Sequence, residues 1–378
     1  MSANTSLANP PDEEQVAAAT LVCLPGMNPS RLRTLWDAFR GPTGALDAVR
    51  RGAAVDALSE RTPPSRRDAL RQRARDWRGV VYPAAIAALL GRRGTHVWLE
   101  HRPGFPIIED LPDRPPVLLG EGVDPAVFER PRVAVVGTRD ATPHGLADAR
   151  ELGAYLASEG VTVVSGLAIG IDGAAHEGAI DAGGGAVGVV ATGLDVVYPR
   201  RHAVLYERVR ATGVLTGETG YGVGPLRSRF PVRNRIIAAF ADVVVVVEAT
   251  ARGGARITAQ YALEYGRPVL ALPGSRRNAA AAGTNALIAD GAHPLLEWSD
   301  VIVALGLTPG THRRPEADRR PVPVGDAARV LAALGGEAAT PDQLASRTGL
   351  AIQEVALALT RLKRDGWLDI TRGWAWPR

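Results

Sequence analysis

The chain has 378 residues, and among them one cysteine, Cys23, and one lysine, Lys363. A single thiol excludes a disulfide within the chain and any zinc site built from cysteines, which needs several ligands. A reducing, cytoplasmic setting is the expectation. With one lysine, nearly all positive charge is carried by arginine, and no Walker lysine is available to a P-loop. Long apolar runs are also lacking. None reaches the ~20 residues that a membrane helix requires, so no membrane partner is expected, and Val243–Val247 reads as a buried strand. The opening MSANTSLANPPDEEQ has no basic region followed by an apolar core, so a secretory leader is not expected there. G-x-S-x-G and H-E-x-x-H are both missing. No metal and no cofactor is expected.

What is present is an ordinary globular balance, 46% hydrophobic and 22% charged, with a net charge of +4. That excess is spread thinly. Residues 1–130 hold 17 arginines and 16 acids, residues 131–306 hold 16 of each, residues 307–325 hold 4 and 2, and residues 326–378 hold 7 basic and 6 acidic groups. Any polyanion site must therefore come from local clustering, because charge acts over a Debye length of ~10 Å.

The most informative stretch is RVAVVGTRDATPHGLADARELGAYLASEGVTVVSGLAIGIDG, residues 132–173. Apolar runs at 133–136 and 161–164 flank an amphipathic segment at 143–158, the length of a right-handed parallel crossover. Both runs are apolar on consecutive residues, as in a sheet covered on both faces. The alternation continues. Strands are expected at 132–136, 161–165, 186–191, 213–216, 242–247 and 268–272. Helices are expected at 143–158, 172–182, 201–211, 232–240, 255–265, 284–290 and 297–304. This predicts an α/β fold, an extended Rossmann-like, doubly wound sheet.

Four regions are expected. Residues 12–78 read as a helical module with its own core, with helices at 13–22, 30–39, 53–58 and 65–77. Its turn Leu24-Pro-Gly-Met-Asn-Pro resembles a helix-hairpin-helix, whose amides grip a phosphate, and equally suits a plain helical turn. Residues 79–306 form the sheet core. Within 79–130, prolines exclude long helices over most of the stretch. A short helix at 84–90 and strands at 97–99 and 117–119 would extend one edge. Residues 307–325 are a Pro-rich, charged linker. Residues 326–378 read as a winged helix: helices from 326, from Thr340-Pro-Asp-Gln and over 351–364, then strands at 367–370 and 374–376.

Glycine-bearing turns follow the strands, and ligands of open α/β sheets bind beyond the carboxyl strand ends. Gly137-Thr138-Arg139 ends the first strand, and Arg139 should point over that rim. Ser165-Gly166-Leu-Ala-Ile-Gly170-Ile-Asp172 opens a helix; it serves either anion binding or tight packing. Gly253-Gly-Ala-Arg-Ile-Thr258 and Gly283-Thr284-Asn285 open two more, which capping alone also explains. The strongest local signal is Phe230-Pro-Val-Arg233-Asn234-Arg235. Arg227, Arg229, Arg233 and Arg235 lie within nine residues, and no acid occurs between Glu218 and Asp242. At a helix N-terminus, dipole and charge add for a phosphate. All four are candidate DNA contacts; Arg227 and Arg229, on a loop, equally suit solvent, an alternative that fits Arg233 and Arg235 less well. Candidates for catalysis are His176, Asp172 and Glu177 near the glycine turn, and Glu218 and Glu248 at strand ends. The two glutamates serve equally well to hold arginines.

These motifs, in this order, resemble the DNA-processing protein A family (DprA, also Smf). Its G-S/T-R, S-G-L-A-R-G-I-D, F-P-x-R-N-R-I-I, S-G-S-L-I-T-A-like and G-T/S-N motifs match Gly137–Arg139, Ser165–Asp172, Phe230–Ile237, Gly253–Ala259 and Gly283–Asn285, with Ile169 in place of an arginine and Ala255 in place of a serine. The resemblance covers roughly residues 105–295. It implies a sterile-alpha-motif-like module, a Rossmann-like core and a winged helix. It implies a non-enzymatic homodimer that binds single-stranded DNA during natural transformation, protects it and loads the RecA recombinase. It also implies that Arg139 and Arg235 contact phosphates, with Arg233, Asn234, Thr258 and Asn285 beside them, and Phe230 is a candidate for base stacking. The rival reading is a nucleotide or nucleoside-phosphate hydrolase using Glu218 or Glu248. A duplex-reading regulator acting through the winged helix fits less well, given that segment's 7 basic against 6 acidic groups.

Overall fold

The computed structural model describes residues 10–60, 62–107, 111–310, 323–334, 338–371 and 373–377. The linker expected at 307–325 falls largely outside these residues. The chain forms two compact units, divided between Arg314 and Pro315.

The larger unit begins with six helices: α1 Glu13–Val22, α2 Pro29–Phe39, α3 Pro42–Arg51, α4 Ala54–Glu60, α5 Pro64–Trp77 and α6 Pro83–Arg93. Asp12 caps α1 in a capping box with Gln15, and Asn28 caps α2 one residue before Pro29 at the first helical position. The expected cap, Ser30, is already inside α2. Helix α3 has no counterpart in the expectations. Strands β1 His96–Leu99 and β2 Val117–Gly122 follow. The alternating core then runs β3 Arg132–Val136, α7 Pro143–Ser158, β4 Thr162–Ser165, α8 Ile171–Asp181, β5 Ala186–Val189, α9 Ala203–Thr212, β6 Val214–Gly217, α10 Arg229–Phe240, β7 Val243–Val246, α11 Ala255–Glu264, β8 Val269–Ala271, α12 Ala282–Ala289, β9 His293–Pro294 and α13 Ser299–Ala304.

One nine-stranded sheet carries all of them in the order β1-β2-β6-β5-β4-β3-β7-β8-β9. From β6 to β9 every pairing is parallel; β2 pairs antiparallel with β6 and with β1. The chain builds outward from β3 to β6, then crosses to β7 on the other side of β3. The switch point therefore lies between β3 and β7, where a crevice for ligands opens. The two faces of β3 feed different cores. Val133 and Val135 pack with Leu152 and Leu156 of α7, while Ala134 and Val136 pack with Ile236 and Phe240 of α10. Leu152 and Leu156 are fully buried, worth about 2 kcal/mol each.

The N-terminal helices have no separate core. Leu21, Leu35 and Trp77 share one apolar cluster with Leu119 of β2, Val190 after β5 and Tyr206 of α9. Buried Glu121 of β2 adds polar ties, accepting from Arg93 of α6 (2.6 and 2.8 Å), Arg210 of α9 (3.0 Å) and Tyr221 (2.7 Å). The helices were expected to have a core of their own; they supply many buried apolar side chains, but that cluster runs on without a break into the sheet edge.

The smaller unit holds α14 Asp326–Leu334, α15 Pro341–Thr348, α16 Ile352–Arg364 and the hairpin β10 Leu368–Thr371 with β11 Trp374–Pro377. Thr340 caps α15 in a capping box with Gln343, and Gly349 ends it at φ +71°. Val330, Leu344, Val355, Leu359 and Leu362 make its core. This is a winged helix, as expected.

Candidate nucleic-acid interface

The loops beyond the carboxyl ends of the parallel strands form a continuous rim, because each is tied to the next. Thr138 N–H donates to the Glu248 carbonyl at 2.7 Å, and Ile171 N–H to the Thr138 carbonyl at 3.3 Å. Gly283 N–H donates to the Ala249 carbonyl at 2.6 Å, and Asn234 Nδ2 to the Gly254 carbonyl at 3.2 Å. His202 Nδ1 lies 3.0 Å from the Leu167 carbonyl. Leu167 itself stands at φ +54°, an uncommon conformation for a side chain of that size. It is held there by full burial, with Gly188 leaving room where a Cβ would strike its Cδ1. The rim thus brings Gly137, Thr138, Arg139, Gly166, Gly170, Arg233, Asn234, Arg235 and Gly283 to one end of the sheet.

Their individual duties differ from those expected. Arg233 and Arg235 are 5% and 6% exposed. Arg233 Nη1 donates to the Gly166 carbonyl at 2.8 Å and to the Val189 carbonyl, satisfying acceptors at the ends of β4 and β5. The carboxylate of Asp172 accepts from Gly166 N–H at 3.1 Å. Burial pushes the Asp172 pKa upward, and the Arg233 charge opposes that rise. Arg235 is clasped by Glu218 and lies 3.7 Å from Asp113. Both arginines therefore hold the rim together, each spending its charge on partners within the protein. The sequence shows their charge, whereas the acceptors that consume it come from distant strand ends. The two loop arginines, also expected as DNA contacts, are more available: Arg227 is exposed and Arg229 half-buried.

Several small polar residues are also structural. Thr258 is buried, and the buried Thr284 hydroxyl donates to the Ala281 carbonyl at 3.1 Å. Asn285 bridges Gly274, accepting from its N–H at 3.1 Å and donating to its carbonyl at 2.9 Å. Ser165 Oγ donates to the Val135 carbonyl at 2.6 Å. Gly170 opens α8 at φ +88°, where a Cβ would collide with the Thr138 carbonyl, so only glycine lets these two loops meet.

The carboxylates proposed as catalytic bases are committed elsewhere. Glu248, at the switch point, takes Thr142 N–H on one oxygen at 2.9 Å and Thr142 Oγ on the other at 2.6 Å. It thereby anchors the first turn of α7, where an anion is favoured. Gly145 lacks the Cβ that would strike this carboxylate. Glu218 is the partner of Arg235. His176 is fully buried, and burial lowers its pKa to about 4, so it is neutral and out of contact with solvent. Among the described residues, no group of three or more His, Cys, Asp or Glu side chains is placed to hold a metal, and no helix is long and apolar enough to cross a membrane.

The accessible chemistry of the rim is concentrated in one cluster. The Arg139 guanidinium lies over the Phe230 ring, 5.1 Å from its centroid, and Phe230 meets Tyr198 at 5.4 Å with planes tilted by 50°. Arg139 is exposed and Tyr198 is 41% exposed. Exposed Arg200 and Arg201 follow Tyr198 in the chain. Tyr198, Arg200 and Arg201 were not among the expected site residues. Their signal was an aromatic-proline-arginine-arginine run in the loop between β5 and α9. Such a cluster offers a charge for a phosphate and an aromatic edge for a base.

Residues 96–306 match the family model described as DNA recombination-mediator protein A, and residues 314–368 match the DprA winged helix domain. A relative from Mycobacterium tuberculosis is 36% identical over 351 residues, covering 88% of this chain and 87% of its own. Protein Smf of Synechocystis sp. is 33% identical over 311 residues, 73% of this chain and 78% of that one. Among solved structures, the DNA processing protein A (DprA) of Streptococcus pneumoniae superposes with a TM-score of 0.63 at 27% identity, covering 77% of this chain and 97% of that chain.

Proposed function

The chain belongs to the DNA recombination-mediator protein A family, and from that premise we propose that it binds single-stranded DNA, without sequence preference, along the rim beyond the parallel strands. The cluster of Arg139, Phe230 and Tyr198 carries this reading. Arg139 and Arg227 meet phosphates, while Phe230 and Tyr198 stack on bases, a mode indifferent to sequence because every base has a π-face. Backbone amides of the glycine turns, Gly137-Thr138 and Gly166–Gly170, add donors for the strand. Arg233 and Arg235 act as positioning residues that fix the loops from beneath.

In this reading the protein is not an enzyme. Glu218 and Glu248 are the carboxylates a hydrolase would use to activate water, and both are occupied in holding the rim. The family premise extends the proposal to a cytoplasmic homodimer that protects strands entering during natural transformation and hands them to RecA. The test is direct. Arg139→Ala and Phe230→Ala should each weaken binding of a labelled oligo-dT by about tenfold or more, with melting temperature unchanged. Steep weakening with salt should accompany binding by the parent protein. If both variants bind like the parent, the rim cluster is not the strand site.

A further inference from the structure

A cavity of about 420 Å³ lies where the N-terminal helices meet the rim, between the Leu24–Pro29 turn, the ends of β5 and β6, and the start of α10. Its walls are largely apolar, with Leu24, Met27 and Leu32 on one side and Val190, Leu226 and Val232 on the other. Its size falls in the range of ~300–1,000 Å³ typical of small-ligand sites, which combine apolar walls with a few polar groups.

Two of those polar groups are guanidiniums, from Arg73 of α5 and Arg229 of α10. Among the described residues neither takes part in an ion pair. Arg229 reaches only the Gly224 carbonyl, at 3.5 Å. Arg73 Cδ, Nε and Nη1 lie over Gly26, leaving no room for a Cβ there. The third guanidinium in the lining, Arg233, is spent on the Gly166 and Val189 carbonyls; Arg31, outside the lining, bonds the Gly26 carbonyl, and burial followed by repulsion from Arg73 lowers its pKa. The carboxylate in the wall, Glu218, is already clasped by Arg235. Glu218 acts on Arg229 through space, whereas Arg73 has no acidic partner among the described residues; guanidinium charge beside an apolar wall suits an anion with a flat apolar body.

We propose that this cavity holds one nucleotide unit, with its base against the apolar wall and its phosphate between Arg73 and Arg229. The inference rests on the rim reading for its choice of ligand, since Arg229 borders both places. The unit has two possible sources, a free nucleoside monophosphate or a nucleotide of the bound strand, and the experiment separates them. Arg73 is exposed and outside the rim cluster, so Arg73→Gln should fold normally, which its melting temperature checks.

Thymidine 5′-monophosphate and a labelled oligo-dT are each titrated against the parent protein, Arg73→Gln and Arg139→Ala. If the strand supplies the nucleotide, Arg73→Gln weakens oligo-dT binding about fivefold, and the slope of log affinity against log salt falls by about 0.7, the signature of one lost phosphate contact. If the source is free nucleotide, the monophosphate binds the parent protein and is weakened by Arg73→Gln, with oligo-dT unaffected. The proposal is overturned if Arg73→Gln changes neither. The rim reading is judged separately by Arg139→Ala, whose failure to weaken oligo-dT leaves the monophosphate arm as an independent test of the cavity.

Discussion

Replacing Arg235 by methionine separates a residue that builds the rim from one that touches DNA. The Arg235 and Glu218 side chains are 7% and 11% exposed. Removing one partner of such a pair costs about 3–5 kcal/mol, because the other charge stays buried alone. Glu218 can limit this by taking up a proton. Burial already pushes its pKa upward, with Arg235 the main opposing influence and nearby Asp113 adding to the rise. The lower figure, about 3 kcal/mol, is therefore the expected loss. At roughly 2 °C per kcal/mol for a unit of this size, calorimetry should show the melting temperature falling by about 6 °C. The double variant Arg235→Met/Glu218→Leu removes both charges and should recover to within about 1 kcal/mol of the parent. The buried acid is gone, and Asp113, which loses Arg235, is part-exposed and still accepts from the Tyr265 hydroxyl, so oligo-dT affinity measured by anisotropy should stay within about threefold, while Arg139→Ala loses about tenfold. A double variant that melts with the parent but binds ten times more weakly would refute the reasoning and return Arg235 to the DNA surface.

The remaining expectations concern stability. His176 is buried neutral with a pKa of about 4 against an ordinary 6.5, so the unfolded chain takes up its proton first as pH falls. Stability should be lost progressively between pH 6.5 and 4, by about 3 kcal/mol, and His176→Leu should flatten that part of the pH profile in urea melts. Gly145→Ala replaces a poor helix former, worth about 1 kcal/mol in favour, but drives a methyl group into the Glu248 carboxylate; a net loss of about 1–2 kcal/mol by thermal melting is expected. Thr340→Ala removes the α15 cap bond to Gln343 N–H and should cost the winged helix about 1 kcal/mol, seen as faster hydrogen exchange at Asp342–Leu344.

How much of this could be read from the chain depended on the range of the governing interaction. Helix α7 emerges at its observed bounds, Pro143–Ser158, because its start and stop are local: Thr142 caps it, Pro143 begins it and Gly160 turns the chain at φ +75°. The capping box at Thr340 and the glycine stop at Gly349 are legible for the same reason. Helix α3 is not, since Gly41-Pro42-Thr43-Gly44, which separates it from α2 and forms its first turn, resembles a loop. Strand β9 is two exposed residues, His293 and Pro294, with no apolar signature. Helix α10 begins at Arg229 rather than at 232, which brings Arg229 and Phe230 onto its first turn. The glycine turns were legible as a set because each follows a strand. The division of labour among the arginines was not. Arg233 is consumed by carbonyls 67 and 44 residues away and Arg235 by an acid 17 residues away, whereas Arg139 meets an aromatic ring that only the tertiary fold brings beneath it.

The antiparallel seam between β2 and β6 has a consequence for how the larger unit can be cut. Because Leu119, Val190 and Tyr206 are roofed by Leu21, Leu35 and Trp77, the first ninety-odd residues are no detachable appendage. Trimming them away would unroof the flank of the sheet and leave a greasy scar beside the very loops meant to grip a polyanion. A shortened gene product that sticks to itself would therefore say nothing about what those helices do for DNA.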